Sequence, residues 1–329
     1  MLTSRQEELL KLIVENYIKT VKPVSSKALC ETLNCSSATV RNEMASLEGL
    51  GLLEKTHISS GRIPSDRGYR YYVDNIMVPK ELNGEDMLKL SQIFSNNALV
   101  LSDVITKSME IVSELTNYTA VVLGSSSNDN RIAKVEVVPI ENNHMIAIII
   151  TDKGHVMNRN VVIDGNVSKS EIKQTIDIIS KLIVGVPLND VSRILEFDIK
   201  PVIDKYVKEH EALYNAFYNA FSDFTSRPDI TVSGTKNLLM EPEFNDADKI
   251  RKILGKFEDK DLIRSIEEDA DEIKVYIGSE SNIDDDVSVM KTYFYKDGEE
   301  GTIALIGPKR MEYDRARALL NFIKKNIGG

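Results

Sequence analysis

The stretch from residue 36 to residue 64, SSATVRNEMASLEGLGLLEKTHISSGRIP, predicts how the N-terminal part of this chain folds. Val40, Met44 and Leu47 recur at helical spacing, so a helix that begins after Ser36 has one apolar face. The glycines that follow are typical helix stops. The remaining LLEKTHISSGRIP indicates two short strands joined by a flexible tip. A helix followed directly by such a hairpin is the arrangement of a winged helix.

Two further helices are predicted before this stretch. TSRQEELLKLIVENYIKT, residues 3–20, places Leu10, Ile13 and Tyr17 on one face behind an early Thr/Ser cap. SSKALCETL, residues 25–33, indicates a second, short helix, and NCS is then a tight turn. A short helix, a brief turn and another helix describe a helix-turn-helix.

The outward face of the third helix carries side chains suited to reading duplex DNA. Arginine pairs with guanine and asparagine with adenine in the major groove, and short neighbours let the helix approach closely. Polar residues near the helix N-terminus and on the wing can contact phosphates or the minor groove. The alternative is an ordinary solvated face on a helix-turn-helix that is purely structural. The candidate DNA-binding residues are Ser37, Ala38, Thr39, Arg41, Asn42, Ala45, Lys55, His57, Ser60 and Arg62.

The acidic net charge of −10 does not argue against such a role. Residues 1–79 hold 10 Lys+Arg and 9 Asp+Glu, a net of +1, and the rest of the chain has a net of −11. Binding depends on the local potential at the contact face, so a near-neutral head on an acidic body can still bind DNA.

The pattern after the wing predicts an α+β, multidomain protein. RGYRYYVDNIMVPKEL indicates an exit helix that ends near Pro79. We expect its tyrosines to pack against the head rather than to stack on bases, because duplex DNA does not present unstacked bases. The pattern then predicts one long helix over 86–115, followed by an antiparallel series of strands between 118 and 163. After residue 165 the pattern is helical. Strands return from residue 272, and a final helix ends the pattern. Strands, helices and strands again indicate one α+β domain interrupted by a helical insertion. The predicted boundaries are 1–79 for the head, 80–164 plus 240–329 for the α+β domain, and 165–239 for the insertion.

A heptad-like aromatic seam runs along the second helix of the insertion. Such a seam forms either a subunit interface, which a two-fold reader of DNA needs, or the insertion's own core. Its members are Ile203, Val207, His210, Tyr214, Phe217, Phe221 and Phe224.

The residue patterns of catalytic and metal sites are missing from the sequence. The four histidines are scattered, no glycine-rich phosphate loop precedes a Lys-Ser/Thr pair, and the acidic runs lack the spacing of a calcium loop. We therefore expect no enzymatic activity, no metal and no cofactor. The two cysteines, Cys30 and Cys35, suit a reducing compartment. With neither a secretory signal nor a membrane-spanning run visible, we expect a cytoplasmic protein without a membrane partner.

Two motifs resemble those of a known family. GRIPSDRGYRYYVD, residues 61–74, and GPKRMEYDRA, residues 307–316, are similar to the two signatures of the bacterial heat-inducible transcription repressor family, HrcA. The resemblance covers essentially the whole chain in the same order, although Lys309 stands where the family often has a small polar residue.

The resemblance implies a winged helix, a GAF-like domain and an inserted dimerisation domain. It also implies repression of chaperone operons by a dimer bound to the CIRCE inverted repeat, with activity that depends on the GroEL chaperonin. The alternative is a winged-helix regulator whose body binds a small ligand or is catalytic, which would require a nucleotide loop or convergent polar groups.

Overall fold

The computed structural model describes most of the chain as three structural units. The described residues are 2–55, 61–96, 99, 101–125, 130–140, 144–154, 156–162, 168–200, 214–216, 218–219, 230–244, 246–259, 262–263, 265–266, 272–296 and 299–327. No described helix is both long and apolar enough to cross a membrane.

The N-terminal unit, here called the head, is a winged helix. Thr3 and Gln6 form a capping box at the start of the first helix, and the Ser36 hydroxyl accepts a hydrogen bond from the Thr39 backbone at the start of the third. Val24 pairs with Arg62, which adds a third extended segment to the wing. The predicted three helices and hairpin are confirmed. The head consists of α1 (Ser4–Thr20), a 3₁₀ helix (Ser26–Leu29), α2 (Ser37–Gly49), β1 (Leu53–Lys55), β2 (Arg62–Pro64), α3 (Asp66–Tyr71) and a π-helical continuation (Tyr72–Ile76).

Two helices follow where the sequence pattern predicts one. They are α4 (Gly84–Phe94) and α5 (Leu101–Thr116). The prediction of one helix over 86–115 was wrong at Ser95, where α4 ends in a run of Ser and Asn residues. Such side chains compete with helical hydrogen bonds and favour helix ends.

The second unit, here called the body, is built on a five-stranded antiparallel sheet in the order β7-β3-β10-β9-β8. Helix α5 and the C-terminal helix α10 (Tyr313–Ile327) cover one face of the sheet, where Val112 and Leu320 are buried. Helices α8 (Thr235–Leu239) and α9 (Ala247–Glu258) cover the other face, where Leu238 and Ile253 are buried. The body elements are β3 (Thr119–Ser125), β7 (Ile230–Ser233), α8 (Thr235–Leu239), a 3₁₀ helix (Pro242–Phe244), α9 (Ala247–Glu258), β8 (Lys274–Ile277), a 3₁₀ helix (Gly278–Ser281), β9 (Val287–Lys296), β10 (Glu299–Pro308) and α10 (Tyr313–Ile327).

The third unit, here called the insertion, has its own sheet and its own core. Strands β4, β5 and β6 form a three-stranded antiparallel sheet. Its inner face packs Ala147 and Ile149 against Ile179 and Ile183 of α6, in a core separate from those of the body. The insertion elements are β4 (Ile132–Pro139), β5 (His144–Thr151), β6 (Val156–Val162), α6 (Lys169–Ile183), a 3₁₀ helix (Leu188–Asp190), α7 (Val191–Ile194) and a π-helix (Leu195–Ile199).

This arrangement corrects the predicted grouping of the strands and both predicted boundaries of the insertion. The strand at 119–125 does not belong to the series at 132–162; it lies between β7 and β10 in the body sheet. The strands at 132–162 share their core with the helices after residue 168, so the unit begins near residue 130 rather than at 165. The chain is back in the body sheet at Ile230, before the predicted end of the insertion at 239.

Candidate nucleic-acid interface

Helix α2 is fixed in the head by polar contacts at both ends. The Ser37 hydroxyl lies 3.0 Å from that of Ser26, which ties the start of α2 to the preceding 3₁₀ helix. Further along, the Gln6 amide of α1 donates to Glu43 at 3.0 Å and to Ser46 at 3.2 Å. Val40, Met44 and Leu47 are buried beneath α2, as the sequence predicts. The opposite face of α2 is therefore held outward.

The outward face carries the predicted DNA-reading residues. Ala38, Arg41, Asn42 and Ala45 are exposed, and Ser37 and Thr39 are half-buried near the helix N-terminus. Among the described residues, Arg41 and Asn42 form no hydrogen bond or ion pair. Two donor-bearing side chains stand on this face between short neighbours, which is the geometry that lets a helix reach base edges in a major groove.

The wing places its two described cations in different environments. Lys55 and Arg62 are directly opposite each other in the β1–β2 pair. Lys55 is exposed, whereas the Arg62 guanidinium is held by Glu48 of α2, with Nη2 at 2.7 Å and Nε at 2.8 Å from Oε2. The Arg62 side chain is only 15% exposed. Arg62 thus fastens the wing to α2. The sequence pattern predicted neither this contact nor Glu48 as the partner of Arg62.

No local pattern announces this ion pair, because Glu48 and Arg62 lie on different elements, 14 residues apart. The other two wing candidates, His57 and Ser60, lie outside the described residues.

The tyrosines after the wing pack inside the protein, as predicted. Tyr69 is 2% exposed and Tyr72 is 3% exposed. Burial raises the pKa of the Tyr72 phenol above its ordinary value. Tyr71 is partly exposed, and its hydroxyl donates to Glu7 of α1 at 2.8 Å. These rings join the exit helix to the head and the body.

One member of the aromatic seam can be placed, and it lies in the insertion's own core. Tyr214 is 4% exposed, its hydroxyl donates to the Leu195 carbonyl at 2.8 Å, and its ring stacks on Tyr218 at 5.8 Å. The expectation of an interface role is corrected for Tyr214, because its side chain is already buried within one chain. The other seam members, Ile203, Val207, His210, Phe217, Phe221 and Phe224, lie outside the described residues.

Groups of side chains that could hold a metal ion do not occur in the described part of the chain. Both cysteines are free thiols, and the Cys30 thiol donates to the Ser26 carbonyl at 3.1 Å. The cysteines thus belong to the packing of the second helix and its turn.

Comparison with known proteins places the whole chain in one family. Residues 1–72 match the family described as "Winged helix-turn-helix transcription repressor, HrcA DNA-binding", and residues 102–316 match the "HrcA protein C terminal domain". The proteins called heat-inducible transcription repressor HrcA in Bacillus pumilus and Lysinibacillus sphaericus are 36% and 34% identical over 333 residues, which cover 99% of this chain and 97% of each relative.

A solved structure described as that of a hypothetical protein has the same fold, with a TM-score of 0.65 at 24% identity over 99% of this chain and 98% of that one. Together, the winged helix and the near full-length identity show that this chain belongs to the HrcA family of heat-inducible transcription repressors.

Proposed function

We propose that this protein represses the chaperone operons of its own cell. It acts in the cytoplasm as a homodimer bound to the CIRCE inverted repeat, and the GroEL chaperonin modulates its activity. The protein is a regulator rather than an enzyme. The family membership supports the repressor role, since the relatives are named heat-inducible transcription repressors.

The observation that carries the proposal is the exposed face of α2. Arg41 and Asn42 stand on an exposed helix surface with Ala38 and Ala45 on either side. Each bidentate contact of such a side chain with a base discriminates by about 1–3 kcal/mol. Lys55 is the wing cation best placed for a phosphate, because Arg62 is held by Glu48. Base reading by α2 and phosphate contact by the wing are thus carried by different residues.

Dimer formation is supported by the outer face of the insertion sheet. Alternate residues of β5, Ile146, Ile148 and Ile150, are half-buried on that face, opposite the core side. Their cross-strand neighbours include Val138 and Val156, which are 45% and 62% exposed. The remaining cross-strand neighbours on this face are polar: Lys134, Glu136, Asn158 and Asn160. An exposed row of aliphatic side chains with a polar rim is typical of an interaction site in soluble proteins. A second copy of the chain is the occupant that a two-fold operator requires.

The proposed response to heat works through the stability of the repressor itself. A chaperonin that returns the repressor to its DNA-binding state raises the fraction of operator that is occupied. Proteins unfolded by heat compete with the repressor for that chaperonin. We expect the purified protein to lose operator binding on mild heating and to regain it with chaperonin and ATP. An excess of an unrelated unfolded protein should cancel the recovery. Binding that is independent of chaperonin under all three conditions would refute this part of the proposal.

Footprinting and transcription on the protein's own chaperone promoters test the proposed function. The purified protein should protect both arms of an inverted repeat and reduce run-off transcription from that promoter. Arg41→Ala should weaken the protection by about 1–3 kcal/mol, the contribution of one base contact. Arg251→Ala, which removes an 80%-exposed cation from the body helix α9, should protect the operator as the wild-type protein does. Protection that ignores the inverted repeat, or that both variants lose equally, would contradict the proposal.

A further inference from the structure

The two sequence motifs that carry the family resemblance meet in space, at the contact between head and body. Asp66 of α3 accepts a hydrogen bond from the Lys309 ammonium at 2.8 Å. Lys309 is also 3.7 Å from Asp286, and its backbone N–H donates to the carbonyl of that residue at 2.9 Å. One lysine thus connects the first turn of the exit helix to the turn that ends β10. We call this contact region the joint; its members are Asp66, Tyr69 and Arg70 of the head and Glu280, Lys309 and Tyr313 of the body.

A second polar contact fixes the other end of α3. The Arg70 guanidinium donates to the Val275 carbonyl of β8 at 2.6 Å and is ion-paired with Glu280. Asp66 and Arg70 are one helical turn apart, so α3 is held to the body at both ends. A helix held at two points cannot swing about either one.

The centre of the joint is apolar and closely packed. The rings of Tyr69 and Tyr313 lie 6.1 Å apart, and their residues are 2% and 0% exposed. Head and body side chains belong to one continuous hydrophobic cluster. On the head side, a Cβ at Gly68 would lie 2.1 Å from the carbonyl oxygen of Leu52, so α3 packs directly on the backbone just before β1. The head therefore joins the body through a packed interface.

The joint leaves the DNA-reading face uncovered. Arg41 and Asn42 remain exposed while the contacts of Asp66 and Arg70 with the body are made. In a dimer whose contact also holds the two bodies at a fixed distance, two rigid joints fix the separation and relative rotation of the two α2 helices. A change of about two base pairs in the operator spacer moves the half-sites apart by about 7 Å and turns them by about 70°. Contacts of hydrogen-bond length cannot stretch that far without breaking.

From this geometry we infer that the joint sets the half-site spacing that the repressor accepts. Lys309 and Asp66 are positioning residues: they touch no DNA but hold the two α2 helices at a fixed separation. The inference rests on the proposed function, because it assumes a dimer that reads an inverted repeat. It goes beyond that function by assigning spacing preference to the contact between the two motifs.

The test compares full-length proteins on a series of operators. The duplexes carry the same inverted repeat with the spacer unchanged or altered by about two base pairs, together with a duplex bearing a single half-site. Wild-type protein and Arg251→Ala should prefer the native spacer by about a hundredfold, as expected when one or two base contacts are lost in the misaligned half-site. Lys309→Ala and Asp66→Ala should reduce that preference to about tenfold or less, as if about one of those contacts were regained. The double variant should be no worse than either single variant, because residues in contact are not additive. Binding to the single half-site should not change.

A reversible cross-link keeps the inference testable if either alanine variant misfolds. A Cβ at Gly278 would lie 3.0 Å from Asp66 Cγ, so cysteines at these two positions would be neighbours. Gly278 has a φ of +57°, where any side chain is strained, but this strain is the same in the oxidised and the reduced protein, which are the two states compared. Asp66→Cys combined with Gly278→Cys should show the full spacing preference when oxidised and a relaxed preference when reduced, with the bond verified by mass spectrometry.

The outcomes separate the two claims. An unchanged spacing profile in the alanine variants, or in the reduced cross-link variant, would overturn the inference and leave the proposed function intact. Wild-type protein that binds neither the inverted repeat nor the half-site above random DNA would overturn the proposed function and this inference with it.

Discussion

The two described wing cations are expected to respond differently to the same loss of charge. Lys55 is exposed on β1, whereas Arg62, opposite it on β2, is held by Glu48. We predict that Lys55→Ala weakens binding to every duplex and lowers its salt dependence, and that Arg62→Ala mainly destabilises the head. The matched control is Arg251→Ala on α9, where the arginine pairs only with Asp248 of its own helix in the described part of the chain.

The expected change in salt slope follows from the two heads of the dimer, each of which carries one Lys55. The expected loss of stability follows from how far Arg62 and Glu48 are buried. Each phosphate contact contributes about 0.9 to the salt slope, so a dimer that loses Lys55 from both heads should lose about 1.8. Between 50 and 200 mM salt, that difference amounts to about tenfold in affinity. Exposed ion pairs contribute about 0.2–1 kcal/mol, and breaking a buried pair costs about 3–5 kcal/mol. With Arg62 15% exposed and Glu48 36% exposed, we expect Arg62→Ala to cost about 1–2 kcal/mol of local stability.

Two assays on the full-length proteins measure these effects. Fluorescence anisotropy with a labelled duplex at several salt concentrations gives the slope, and hydrogen exchange of peptides from residues 37–49 gives the local stability of α2. The reasoning would be refuted if Arg62→Ala lowered the salt slope as much as Lys55→Ala and left the exchange of α2 unchanged. That result would mean that the pair with Glu48 opens to contact a phosphate.

Three further predictions concern packing. Leu47→Ala should destabilise the head by about 2–5 kcal/mol, because Leu47 is fully buried under α2, and faster hydrogen exchange of α2 with unchanged exchange of α10 would show it. Tyr69→Phe should be neutral or stabilise by up to about 1 kcal/mol in thermal unfolding, because the Tyr69 hydroxyl is buried and finds no partner among the described residues; a clear loss of stability would contradict this. Ile148→Lys should yield monomers in sedimentation with the head still folded, since it places a charge on the proposed dimer face; a persistent dimer would move the interface elsewhere.

The local features of the head could be predicted from the sequence because they are encoded in short-range patterns. The spacing of Val40, Met44 and Leu47 fixes which side of α2 is buried, and Ser36 caps the helix as expected. The exposed positions of Arg41 and Asn42 follow from the same periodicity.

Long-range pairing could not be predicted in this way. The strand at 119–125 pairs with the strand at 299–308, and nothing in either segment specifies the partner. Neighbouring strands usually pair, which is why 119–125 was grouped with the strands that follow it. The same holds for the contacts of Asp66 with Lys309 and of Glu48 with Arg62, which depend on how separate elements meet.

The base preference of wild-type protein and of Arg41→Ala tests the central claim most directly. Affinities are measured for an inverted-repeat operator and for every single-base change in one half-site, at one salt concentration. Wild-type protein should lose about 1–3 kcal/mol at each contacted base pair, and Arg41→Ala should lose its preference at one position while keeping the others. If Arg41→Ala weakened binding to all duplexes equally, or left every affinity unchanged, α2 would not read the operator through this residue.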